Sequence, residues 1–119
     1  MKYMKDWKRS LQLENKSNQR LYGMLGFAMR AGKVIIGTEL VCRAMPTGRV
    51  RLVLVSKSAS EATKKKIFVK SDYYSISAIE VDIDTVSLGN LLGKSYAPAA
   101  IAVTDGGFAE EIKKATVLN

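Results

Sequence analysis

Histidine is absent from the chain. That removes the commonest general base, the Ser–His and Cys–His nucleophile pairs and most zinc sites. Cys42 is the single cysteine, so the chain can form neither an internal disulfide nor a thiolate metal cluster, a pattern that suits a reducing compartment. No apolar stretch approaches the roughly 20 residues of a membrane span. The basic start of the chain (Lys2, Lys5, Lys8, Arg9) is not followed by the apolar run of a secretory signal. These absences lead us to expect a cytoplasmic protein that is not an enzyme and uses no metal and no cofactor.

Carboxylate chemistry is equally thin. Asp82 and Asp84 read as a solvated strand end, and Asp72 and Asp105 as residues at helix boundaries. Ala31-Gly32-Lys33 lacks the Walker spacing. Thr104-Asp105-Gly106-Gly107 follows a strand and has amides that an anion would fit. It lacks the full dinucleotide fingerprint and reads better as a turn with a helix cap.

What is present is positive charge, unevenly spread. The 119 residues carry 19 Lys and Arg against 11 Asp and Glu, a net +8. Residues 1–70 hold 16 basic and 4 acidic residues, whereas residues 71–119 hold 3 basic and 7 acidic. Segregation of this kind predicts one basic face, and phosphate backbones are its commonest partner because each neutralised phosphate releases a counterion.

Residues 1–14 lack a clear period and read as an N-terminal extension, leaving 15–119 as a single domain. Asn15 or Ser17 is suited to cap a first helix, with Leu21, Met24, Leu25, Ala28 and Met29 on one face and Gly32 beyond its end. Val34–Ile36 reads as a strand. Thr38 is suited to cap a second helix, which Pro46 and Gly48 terminate. The apolar run Val50–Val55 reads as a strand covered on both faces. Ser58 and Glu61 have the spacing of a capping box for a helix running to about Lys70. Ile76–Ile83 and Ala99–Val103 read as further strands. Asp84 or Thr85 opens one more helix, ended by Gly93, and Asp105–Gly107 opens the last. Strands alternating with helices predict a three-layer α/β/α sandwich around a four-stranded mixed sheet.

The candidate site is basic. Arg30 and Lys33 flank the first turn, Arg43 lies on the second helix, and Arg49, Arg51 and Lys57 bracket the second strand. Lys64, Lys65 and Lys66 cover part of the third helix. The start of the second helix, at Gly37-Thr38, adds free amides and partial positive charge. These groups are expected to gather as one surface around that helix start. The predicted strands are aliphatic, and Tyr73, Tyr74 and Tyr96 lie outside them. Folded RNA therefore fits better than a single strand read by stacking on a sheet.

The segment Gly37-Thr38-Glu39-Leu40-Val41-Cys42-Arg43, followed by Gly48-Arg49 and the strand Val50–Val55, resembles the ribosomal protein L7Ae family. Leu88-Gly89, Gly93-Lys94 and Pro98 before an aliphatic strand extend the likeness over roughly residues 17–115. Within the family, the bacterial YlxQ-type subgroup is most similar. The resemblance implies an α/β/α sandwich that binds kink-turns, sharply bent RNA helices with tandem sheared G·A pairs. It implies that Gly37 lets the second helix approach RNA, that Arg43 reads a guanine edge, and that the loop from Lys94 through Ala97 to Pro98 covers a protruding base. Glu39 and Leu40 depart from the Asn and Glu of the family. Phosphate binding should survive that change, with base reading weakened or retargeted. The expected partner is structured RNA, ribosomal in kind, bound by a monomer through Arg30, Lys33, Gly37, Thr38, Glu39, Arg43, Lys57, Lys64, Lys65, Lys94, Ala97 and Pro98. The other reading is a protein-interaction or regulatory module of the same fold.

Overall fold

Leu52–Ser56 alternates two apolar sizes, Leu-Val-Leu-Val, and every residue of it is buried. In an extended chain successive side chains point to opposite faces, so this segment supplies both cores at once. Leu52 and Leu54 join one cluster, and Val53 and Val55 the other. In this computed structural model the described residues are 19–94 and 96–117. The expected extension 1–14 and the caps proposed at Asn15 and Ser17 lie outside them.

The described residues begin with helix α1 over 19–30. Then follow β1 (Val34–Ile36), α2 (Thr38–Ala44), a 3-10 turn (Met45–Thr47), β2 (Leu52–Ser56) and α3 (Glu61–Tyr73). The chain continues with β3 (Ala78–Val81), α4 (Thr85–Leu91), β4 (Ala100–Val103) and α5 (Gly106–Val117). The four-stranded sheet has the order β1-β4-β2-β3. β4 is antiparallel to both β1 and β2, while β3 is parallel to β2. The sheet is therefore mixed, as expected.

One face of the sheet packs against α1, α4 and α5 through Leu21, Leu25, Leu88, Ala109 and Ile112. The other packs against α2, the 3-10 turn and α3 through Val41, Met45 and Ile67. β4 sorts its residues by size between the two. Ile101 and Val103 face the three-helix side, and Ala100 and Ala102 face α2 and α3. The two alanines leave room for those helices to sit close to the sheet.

Several boundaries differ from the sequence expectation for local reasons. Thr38 lies inside α2, and the cap position belongs to Gly37, which makes no side-chain cap. Ser60, not Ser58, caps α3: its Oγ accepts from the Thr63 amide at 3.1 Å. Ser58 is used otherwise, its amide donating to Ser56 Oγ at 3.1 Å. That hydroxyl is buried and donates to the Ile83 carbonyl at 2.6 Å, tying the turn after β2 to the entry of α4. Helix α3 continues past Lys70 to Tyr73. It is closed by Ser75 at φ 57, a left-handed position where glycine is the usual residue.

Asp84 caps α4, accepting from the Ser87 amide at 2.7 Å. That backbone hydrogen bond is the main reason its carboxyl is held below the usual aspartate range, with the Ser87 hydroxyl adding to it. A depressed folded-state value means the cap stabilises the fold above the unfolded value and is lost as pH falls through the folded one. Acid titration of the wild type should therefore show a loss of stability below about pH 4 that Asp84→Ser, a cap without a titrating group, lacks. Identical acid profiles would contradict the assignment.

Candidate nucleic-acid interface

The strand register divides the expected site between two ends of the sheet. At the first end, the Gly37 amide donates to the Ala100 carbonyl at 2.9 Å, the Ser56 amide to Ala99 at 2.8 Å, and the Lys57 amide to Val81 at 3.1 Å. The start of α2, the segment entering β4, the turn after β2 and the exit of β3 thus form a row. Strands spaced about 4.8 Å apart make that row roughly 14 Å across. Gly37, Thr38 and Glu39 open α2 at this end, Lys57 follows β2, and Ala97 and Pro98 lead into β4, while the Lys94 amide is tied to the end of α4 by its bond to the Gly89 carbonyl at 2.8 Å.

At the opposite end, the Thr104 amide donates to the Lys33 carbonyl at 2.9 Å, and the Arg51 amide to Val103 at 2.8 Å. Arg30 and Lys33 belong to this end. The expected single basic surface around the start of α2 is therefore not what the fold makes. Four residues of extended chain separate Lys33 from Gly37 by roughly 13 Å, and antiparallel pairing with β4 fixes which end each occupies.

The remaining cations sit on the helix layer of α2 and α3. Arg43 lies six residues along from Gly37, roughly 9 Å up the helix axis. Its Nη2 is 3.9 Å from Glu39 Oε2, with both side chains mostly exposed. An exposed i,i+4 pair of this kind is worth about 0.3–0.5 kcal/mol, so Arg43 can be redirected to another acceptor at little cost. Lys64 is only 17% exposed and sits between Glu80 at 3.1 Å and Glu61 at 3.7 Å, which leaves it poorly placed for an outside anion. Lys65 is exposed. Lys57 Nζ is 2.8 Å from Asp82 Oδ1. Glu39 and Leu40 are both exposed on α2, so Leu40 presents an apolar side chain to solvent at the site.

The loop before β4 holds the residues that the sequence reading missed. Pro98 is buried against α4 while Ala97 is exposed. Tyr96, beside it, is 54% exposed and is the large apolar group that this loop offers to solvent. Its signal was present, as an aromatic residue within Lys94–Pro98. Gly89 has a packing role that the sequence alone does not show. A Cβ there would run into the Tyr96 carbonyl oxygen and come within 3.3 Å of Pro98 Cδ. The missing side chain is what lets the loop rest on α4.

No group of three His, Cys, Asp or Glu that would hold a metal occurs among the described residues. Nor is any described helix long and apolar enough to cross a membrane.

The described residues thus form an α/β/α sandwich in which the start of α2 lies beside the segment entering β4. The model of the ribosomal protein L7Ae/L30e/S12e/Gadd45 family matches residues 19–113, and the chain belongs to that family. The RNA-binding protein YlxQ of Bacillus subtilis is 38% identical over 96 residues, covering 81% of this chain and 94% of the relative. The large ribosomal subunit protein eL30 of Sulfolobus acidocaldarius is 30% identical over 103 residues, covering 82% and 99%. A solved protein of unknown function from Bacillus halodurans superposes with a TM-score of 0.77 at 33% identity, covering 82% of this chain and 97% of that one. The 15.5 kD RNA binding protein of Giardia lamblia has a TM-score of 0.71 at 13% identity, covering 87% and 91%, a likeness of fold.

Proposed function

We propose that the chain is a non-catalytic RNA-binding protein of a ribosomal or other ribonucleoprotein assembly. In this reading it acts as a monomer and recognises structured, kink-turn-like RNA at the first end of the sheet. Family membership supports the RNA partner. The observation that carries the location is the hydrogen bond from the Gly37 amide to Ala100 at 2.9 Å. It holds the start of α2 beside the segment that follows the Tyr96–Pro98 loop. Thr38, Glu39 and Arg43 then face the bases, and Tyr96 and Ala97 cover a base that leaves the stack. Arg43 donates to guanine O6 and N7, and Glu39 accepts from guanine amino groups in place of the Asn of the family.

Two substitutions separate base reading from phosphate grip. Arg43→Ala should weaken binding to a helix bent by tandem sheared G·A pairs by roughly tenfold or more, against a small loss on an uninterrupted duplex. Lys65→Ala should weaken both and flatten the salt slope by about 1. Equal losses on both RNAs for Arg43→Ala would count against a base-reading role.

One observation favours a second reading, a protein-interaction surface. Along the outer side of α3 runs an open groove of about 650 Å³, lined by Ala62, Lys65, Val69, Tyr73 and their neighbours. Val69 is 62% exposed and Tyr73 79%. A photocrosslinker at position 69, activated in cells, should give a discrete protein adduct if this surface docks a partner. RNA adducts alone, or none, would remove that reading.

A further inference from the structure

The cations at the opposite end of the sheet differ from those at the first end in one respect, their partners. At the first end, Lys57 faces Asp82 at 2.8 Å, and Glu39, Glu61 and Asp84 stand close by on the openings of α2, α3 and α4. Carboxylates there offset the lysines. At the opposite end, Arg30, Lys33, Arg49 and Arg51 are all exposed. None of the four has a carboxylate within 4 Å among the described residues.

The backbone fixes how these groups are spaced. Lys33 and Arg51 continue the ladder on either side of β4, through the bonds to Thr104 and Val103. Two strand spacings put their backbones roughly 10 Å apart. Alternation places Lys33 in phase with Ile35, which faces α2 and α3, whereas Arg51 lies between Val50, buried on that side, and Leu52, buried on the other. Arg30, in the last turn of α1, lies over the Phe27 ring at 4.8 Å, which steadies its guanidinium without neutralising it. Asp72 and Asp105, near the end of α3 and the start of α5, are two acidic residues at this end among the described residues. They are fewer than the four exposed cations there.

Unpaired cations held by a sheet edge suit a polyanion whose charges are regularly spaced. We infer that this end is a second RNA-binding site, independent of the first, which takes the phosphodiester backbone of an A-form duplex. The inference rests on the RNA-binding reading above and adds to it a division of labour. The first end would read the bent loop, and the opposite end would grip an adjoining helix or a second RNA segment without regard to sequence. The basic excess of residues 1–70 then has its use away from the start of α2.

The test uses the full chain and an unbulged 20-base-pair RNA duplex, titrated by fluorescence anisotropy across a range of salt. Lys33→Gln with Arg51→Gln should lower the salt slope by about 2 and cost at least roughly tenfold in affinity. Lys113→Gln with Lys114→Gln removes the same charge from residues paired with Glu110 and Glu111, and should leave the slope unchanged. Equal losses from both doubles would reduce the effect to net charge and overturn the proposal, as would no loss from the first. Should the first double fail to fold, Arg30→Gln with Arg49→Gln, outside the ladder, carries the same prediction. Arg43→Ala on the bent RNA reports on the first site alone. Selectivity kept there, with no far-end effect on the duplex, would sink this inference and spare the function. Failure to bind either RNA would sink both.

Discussion

Gly89→Val is expected to lower the unfolding free energy by about 3 kcal/mol and to remove most RNA affinity with it. Gly89 lies in the middle of α4, where glycine costs about 1 kcal/mol relative to alanine by helix propensity alone. A larger residue would therefore be favoured if space allowed. Space does not allow it: an added Cβ would meet the Tyr96 carbonyl oxygen, and Pro98 Cδ lies 3.3 Å away. The nearest obstacle is backbone, which yields only if the whole loop moves. Gly89→Ala sets the propensity gain of about 1 kcal/mol against an overpacking cost of about 1–3 kcal/mol, so a net loss of about 1 kcal/mol is expected. Urea unfolding gives the stability change, and titration with the bent RNA gives the functional one. A stabilised Gly89→Ala variant with unchanged RNA affinity would mean that the loop yields freely and has no part in binding.

Gly37→Val should be the next most damaging change, at about 2 kcal/mol, for a different reason. Nothing lies within 4 Å of where its Cβ would be, so the obstacle is the backbone, at φ 107. A β-branched residue is a severe outlier there. The chain would relieve the strain by rotating the peptide that donates to Ala100, and the first turn of α2 would leave its place beside the loop. Gly37→Ala should show the same defect in milder form. Both variants should lose selectivity for bent RNA over plain duplex before they lose duplex binding, since the far-end cations are untouched. Equal loss on both RNAs would argue that α2 carries no special role.

These two glycines illustrate how far the residues alone could be read. The architecture was legible because the patterns were strong. The run before Ser56 reads as a strand buried on both faces, the aliphatic stretch at Ala100–Val103 likewise, and turn residues separate the elements. Caps were harder, since Ser58 and Ser60 compete for the same helix start. Burial of the Ser56 hydroxyl, which decides between them by engaging Ser58, is a tertiary fact. The end of α3 was placed short because the left-handed position that closes it is filled by Ser75 rather than glycine.

The candidate site was legible in composition but not in placement. Lys33 and Gly37 are four positions apart, yet a strand between two residues is what sends them to opposite ends of a sheet. Likewise, Pro98 and Tyr96 share one loop, and only the packing of Gly89 decides that Pro98 turns inward. Lys64 looked like its neighbour Lys65 until β3 brought Glu80 to 3.1 Å from it. Pairing by a distant carboxylate leaves no mark in the local sequence.

The most direct measurement is an amide chemical-shift titration of the full chain with a short RNA bent by tandem sheared G·A pairs. The amides of Gly37, Thr38, Glu39 and Tyr96–Ala97 should move most and saturate together, while those of Arg49 and Arg51 should respond in proportion to the flanking duplex. Saturable shifts confined to α5 or to the exposed face of α3, with Gly37 and Thr38 unmoved, would contradict the account.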